Sequence, residues 1–249
     1  MLTYEQVKNN PAVQVYVKRA DEALKSIGYT EHSVAHVTKV AETAAYILRT
    51  LGYDEHEVEM ARIAGYMHDI GNLVNRTEHA QTGAIMAFTL LTNMGGEPDE
   101  IASIISAIGN HDESTANPAN PIAAALILSD KTDVRRSRVR SQDHIHYDIH
   151  DRVNYSVINA VTKINEEKDR NLSRTYHRHA LRLGYGLFRN IPLQNDPLPQ
   201  GRRYTEAEIP SHHQRSAAAV IGSLTEQCFG TMAKYLIKCK KSAHRLNFA

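Results

Sequence analysis

The stretch Met67-His68-Asp69-Ile70-Gly71-Asn72 decides how this chain reads. It sets a histidine beside an aspartate where a helix is about to end. Met60, Ile63, Ala64 and Met67 mark the apolar side of that helix, and Gly71 follows its end, as glycine commonly does past a helix C-terminus. Taken alone the pair says little, because His111-Asp112 and His150-Asp151 repeat it. Its meaning comes from the segments on either side.

Upstream, residues 4–27 read as one polar helix closed by Gly28. A second helix is expected from near Glu31, with Val37, Val40, Ala44, Ile47, Leu48 and Leu51 on one face and Gly52 at its end. Asp54 and Glu57 form a variant of the capping box for the helix that leads into His68-Asp69. Downstream, Ala84, Ala87, Leu91 and Met94 predict a fourth helix up to Gly95-Gly96, and Pro98 opens a fifth that breaks at Gly109-Asn110-His111. Asn120-Pro121 is a good N-cap and N1 pair for a sixth helix carrying Asp130 and Asp133. A last helix is expected over Val153, Val157, Val161 and Ile164. No sustained period-2 alternation occurs in 1–167, so this part is expected to be all-α.

His36, His68, Asp69, His79, His111 and Asp130 each fall near a helix end or at the border of an apolar face. Packed helices can aim such side chains into one cavity. Imidazole mixed with carboxylate suits first-row transition metals. Four histidines and two aspartates can hold two ions, particularly if one carboxylate bridges them, and such a pair activates water and clamps phosphate for in-line attack.

The order His36, His68-Asp69-Ile70-Gly71, His79, His111, Asp130-Lys131 resembles the HD-domain superfamily of metal-dependent phosphohydrolases. His79 and His111 resemble its two-metal branch. The wording His36-Val-Thr-Lys-Val-Ala-Glu-Thr-Ala, His79-Ala-Gln-Thr-Gly-Ala, Ala107-Ile-Gly-Asn-His111 and Ser129-Asp130-Lys131 is similar to the HD-type hydrolases of symmetrical dinucleoside tetraphosphates. The resemblance covers about residues 30–135 and implies an HD-domain helical bundle. It implies metal ligation by His36, His68, Asp69, His79, His111 and Asp130, with Asp69 bridging. The cofactor it implies is a pair of divalent or mixed-valent transition-metal ions, iron or manganese, holding a hydroxide.

The expected reaction is hydrolysis of a phosphate ester or phosphoanhydride in a nucleotide-like substrate. Asp69 and Lys131 are the expected catalytic residues, with Asp112 as proton donor. His32, four residues before His36, is expected on the same helix face and within reach of substrate phosphate. Lys131 and Arg135 are the candidate phosphate clamp, since ammonium and guanidinium groups both pair with phosphate oxygens. Asn72 is counted with the substrate contacts, although it stands where the family usually has lysine. The Gly-Tyr-Pro sequence of cyclic-di-GMP phosphodiesterases and the Glu-Asp pair of the alarmone hydrolases are absent. The loop Asp143–Asp151 reads as a structural loop, with a lid or third metal site as the other reading. The main alternative to an enzyme is a regulatory module that senses a nucleotide without turnover.

With two cysteines, Cys228 and Cys239, no disulfide framework is expected. Without a basic and then apolar leader or a long apolar run, the expected location is cytoplasmic, without a membrane partner. A homodimer remains open. Charge is uneven: of 29 basic and 28 acidic residues, 14 and 5 fall from Lys168 onward, a net of +9 there against −8 before it. The chain is therefore divided into a catalytic unit, 1–167, and a basic tail, 168–249, of weak periodicity. Permitted codons for Asn171 to Pro192, read one nucleotide out of frame, can spell S-L-E-L-T-I-D-T-P-Y-A-S-V-M-D-Y-F-E-I-F, which looks more like a folded protein. The tail is read as the product of a shifted frame or as a segment without a fold, with a nucleic-acid arm as the rival.

Overall fold

The computed structural model describes residues 2–112, 118–140, 151, 154–155, 157–164, 172–178 and 235–236. Among the described residues seven α-helices build the body: α1 Tyr4–Lys8, α2 Pro11–Ser26, α3 Val34–Thr50, α4 Glu55–Met67, α5 His79–Asn93, α6 Pro98–Gly109 and α7 Pro121–Thr132. Short 3-10 turns occupy Ile70–Leu73 and Arg136–Arg138. Up to Arg138 the described residues hold no strand, in keeping with the all-α expectation. No described helix is long and apolar enough to cross a membrane.

Capping side chains set several of these boundaries. Asn10 accepts from the amides of Ala12 and Val13, and Pro11 occupies the first turn, so the single helix expected over 4–27 is two. Ser33 caps α3 by accepting from Ala35, which starts that helix at Val34 rather than near Glu31. The segment before Ser33 is instead tied down sideways. The Glu31 amide donates to the Arg138 carbonyl, and that of His32 donates to Asp21. Asp54 accepts from Glu57 at the start of α4, as the capping pair predicts.

The core lies among α3, α4, α6 and α7, where Val40, Ala44, Leu48, Ile63, Met67, Ile104, Ile108 and Leu126 are fully or almost fully buried. Gly65 lets α4 touch α3, because a Cβ there would lie 2.7 Å from the Ala41 Cα. Gly71 does the same for α5: a Cβ would lie 2.0 Å from the His79 carbonyl oxygen. The glycine after His68-Asp69-Ile70 is therefore a packing requirement that draws His79 toward the pair.

Past α7 the structure departs from expectation. Val157–Ile164 is not a helix but a strand, β1, paired antiparallel with β2, Leu172–Arg178. The segment's run of β-branched residues suits a strand better than its four-residue apolar spacing suited a helix. The ribbon spans the 167/168 boundary inferred from charge. Further on, Leu236 is buried in the core and its carbonyl accepts from the Tyr53 hydroxyl at 2.5 Å. The rest of the 168–249 tail, with its readings as a shifted frame or a nucleic-acid arm, lies outside the described residues. So does the loop from Asp143, apart from Asp151, which is buried and accepts from the Thr30 hydroxyl at 2.7 Å.

Candidate metal centre

Asp69 stands in the middle of the centre, and its two carboxylate oxygens face different partners. Oδ2 lies 3.0 Å from His68 Nε2, 3.6 Å from His36 Nε2 and 4.0 Å from His32 Nε2. Oδ1 lies 3.6 Å from His79 Nε2 and 3.9 Å from His111 Nε2. Asp130 Oδ1 adds to the first side, 3.4 Å from His36 Nε2 and 3.7 Å from His68 Nε2. All six residues expected as ligands thus converge, from α3, the end of α4, the start of α5, the end of α6 and the last turn of α7.

The tautomers follow from the hydrogen bonds. Nδ1 of His68 lies 2.8 Å from the Gly65 carbonyl, that of His111 2.6 Å from Ile108 and that of His79 3.1 Å from Arg76. His32 does the same with the Thr30 carbonyl at 2.7 Å. A carbonyl only accepts, so each Nδ1 must donate, and in the neutral ring the Nε2 lone pair points inward. In His36 the partner of Nδ1 is the Asp133 carboxylate at 2.9 Å.

Several lone pairs therefore meet carboxylate oxygens across contact distances. His36 Nε2, His68 Nε2 and Asp69 Oδ2 are buried and lack a hydrogen-bond partner among the described residues. Acceptors facing acceptors in a dry pocket are unfavourable unless a cation lies between them. Two triads, His36 with His68 and Asp130, and His68 with Asp69 and His111, have their donor atoms within 4.8 Å of one another. This donor set fits first-row transition metals.

Electrostatics agree with that fit. Burial pushes Asp69 up, but His68, His32 and His36 hold it well below the usual carboxylate range. Burial raises Asp130 as well, and Lys131 with the neighbouring histidines overcomes it. Burial lowers His79 and, together with His68 and His79, brings His111 down to about 3, which keeps both rings neutral. His36 goes the other way. Burial and Arg138 lower it, yet the carboxylates of Asp130, Asp133 and Asp69 raise it to about 9. Proton or metal, this position calls for a cation.

The other expected residues border the centre. His32 does not share a helix face with His36, because it precedes the Ser33 cap. Its ring nevertheless packs edge-on against His36, with centroids 5.4 Å apart. Asn72 is buried and donates to Asp69 Oδ1 at 2.9 Å, so it orients that carboxylate. Asp112 Oδ1 lies 3.9 Å from His79 Nε2 and is partly exposed. Lys131 pairs with Asp130 at 2.8 Å. Arg135 pairs with Asp133 at 3.1 Å and lies 3.6 Å from Glu31.

Two residues at the centre had no role in the sequence reading. Asp133 holds His36 from behind, and its place three residues after Asp130 was the available signal. Arg76 touches both Asn72 and His79, and only its position three residues before a ligand hinted at this.

The family model for the HD domain matches residues 34–137. The chain is 25% identical over 161 residues to MJ1020, an uncharacterized protein of Methanocaldococcus jannaschii, over 56% of this chain and 62% of that protein. It thus spans less than two thirds of that relative's length. It is also similar to a crystal structure of a predicted HD superfamily hydrolase from an uncultured Thermotogales bacterium. There the identity is 26% and the TM-score 0.40, over 53% of this chain and 74% of the other. The matched segment begins on the helix that carries His36 and ends just past Asp130 and Asp133, so the similarity to the HD domain takes in the residues that converge at the centre.

Proposed function

We propose that this protein is a metal-dependent phosphohydrolase with two transition-metal ions, acting on a phosphate ester or phosphoanhydride of a nucleotide-like substrate. The observation that carries the reading is the split of Asp69: one oxygen faces His36 and His68 and the other faces His79 and His111. His36, His68, Asp69 Oδ2 and Asp130 would hold one ion. Asp69 Oδ1, His79 and His111 would hold the other. Such ions, when bound, supply Lewis acidity toward phosphoryl oxygens and acidify water.

The chain's own groups do the rest. Asp133 fixes His36 through Nδ1, which leaves Nε2 for coordination, and Asn72 fixes Asp69 by donating to Oδ1, an oxygen that keeps a second lone pair. Lys131 balances the charge of Asp130 at the first half-site. Asp112, partly exposed beside His79, is placed to hold or deliver a proton to a leaving oxygen at the mouth. His32, neutral through burial, borders the same mouth.

The test loads protein with iron or manganese and screens nucleotides, dinucleoside polyphosphates and phosphodiesters for release of phosphate or nucleotide. Turnover of at least one, abolished by Asp69→Ala, is expected. Tight binding of a nucleotide with no turnover of any would replace the enzyme by a sensing module.

A further inference from the structure

Arg76 stands in the turn between Ile70–Leu73 and α5, half-buried at the edge of the centre. Its Nη1 donates to Asn72 Oδ1 at 3.2 Å and lies 3.2 Å from His79 Nε2. The guanidinium carbon sits 5.7 Å from the centre of the Tyr29 ring. Among the described residues, no carboxylate is within ion-pairing distance of it.

The other cations near the centre are differently placed. Lys131 is paired with Asp130, and Arg135 with Asp133. Arg138 is buried and donates to the carbonyls of Glu31 and Asp133. Arg140 pairs with Asp21. Arg76 is therefore the partly exposed cation at the centre that pairs with no carboxylate among the described residues.

The turn that carries it ends on a strained residue. Glu78 adopts φ 58°, the one left-handed conformation of a non-glycine residue among the described residues. Such a conformation costs a side-chain-bearing residue free energy and persists where the surroundings impose it. Here the turn lets one residue grip both nitrogens of His79: the Arg76 carbonyl accepts from Nδ1, and the guanidinium occupies Nε2. The Nε2 lone pair can serve the guanidinium or a metal ion, not both.

We propose that Arg76 is a substrate-phosphate ligand of this site, and that it leaves His79 Nε2 for the phosphate when that nitrogen takes a metal ion. A guanidinium fork suits two phosphoryl oxygens, and Tyr29 gives it an aromatic face to rest on. The inference rests on the phosphohydrolase reading.

The experiment measures binding of inorganic phosphate to manganese-loaded protein by titration calorimetry, with manganese affinity by equilibrium dialysis. Wild type, Arg76→Ala and Arg76→Lys are compared. Arg76→Ala is expected to weaken phosphate binding roughly 10–100-fold. Arg76→Lys should fall between, since it keeps the charge and loses the fork. Manganese binding should stay the same or tighten, because a competitor for His79 is gone. Wild-type phosphate affinity in Arg76→Ala overturns the proposal. So does a lost equivalent of manganese, which would make Arg76 a support for His79. The substrate screen separates the two ideas. Turnover with phosphate binding that ignores Arg76 sinks this inference alone, and Arg76-dependent phosphate binding without any turnover sinks the hydrolase reading alone.

Discussion

Replacing Asp133 by alanine removes the group that holds His36 from behind. The bond is 2.9 Å long and both partners are buried. A hydrogen bond to a charged group contributes about 1.5–3 kcal/mol, and loss of the carboxylate behind a metal-bound histidine typically costs 10–100-fold in metal affinity. The two scales agree, since a tenfold change is about 1.4 kcal/mol. The loss should fall on the half-site of His36, His68 and Asp130, with little change at His79 and His111, whose Nδ1 atoms rest on backbone carbonyls. The assay is competitive dialysis with manganese on wild type, Asp133→Ala and Asp133→Asn. One class of ion should weaken about 10–100-fold in the alanine variant and less in the asparagine variant, which keeps an acceptor. Thermal melting of the metal-free proteins controls for folding, because Asp133 also pairs with Arg135. If both variants bind two ions with wild-type affinity, the reasoning that Asp133 orients a ligand is wrong.

Three further predictions follow from the same geometry. Removing metal with a chelator should lower the melting temperature, because an ion present at a hundred times its dissociation constant adds about 2.7 kcal/mol to stability; unchanged melting would exclude coupling between metal and fold. Metal-free protein should lose stability as pH falls from about 6.5 toward the lowered folded values, about 3 for His111. His32, His79 and His111 are lowered by burial, so below their unfolded value the unfolded chain binds more protons than the folded one. His36 is raised to about 9 and contributes in the opposite sense, its stabilisation being present below the unfolded value and lost as pH rises through 9; urea titrations across both windows read the two slopes. Gly71→Ala places a Cβ 2.0 Å from the His79 carbonyl oxygen, so it should destabilise the protein by about 1–3 kcal/mol and disturb metal binding at His79; a melt and a metal count check both.

The sequence made much of this legible for identifiable reasons. Gly52, Gly71, Pro98, Gly109 and Asn120-Pro121 punctuate the chain, and the residues brought together at the centre sit beside those marks. Asn10-Pro11 carries the same cap-and-proline signal, and the structure divides the helix there. His32 was put on the wrong element because its spacing from His36 fits a helix, whereas Ser33 and the Asp21 contact hold it in an extended segment. Spacing also misled at Val157 and Val161, where side-chain branching decided for a strand. Charge partners were hidden for a deeper reason. Lys131 and Arg135 look like a phosphate clamp, but only the fold shows Asp130 beside the first and Asp133 and Glu31 beside the second, while Arg76 reaches Asn72 and His79 from a turn.

Under the proposed function, Asp69 joins two metal half-sites. The most direct test is the metal content of anaerobically purified protein, wild type beside Asp69→Ala, by elemental analysis. About two transition-metal ions per wild-type chain are expected, with loss of both, or nearly so, in the variant. A wild-type chain that takes up no transition metal, or an Asp69→Ala protein that retains both ions, would contradict this role of Asp69.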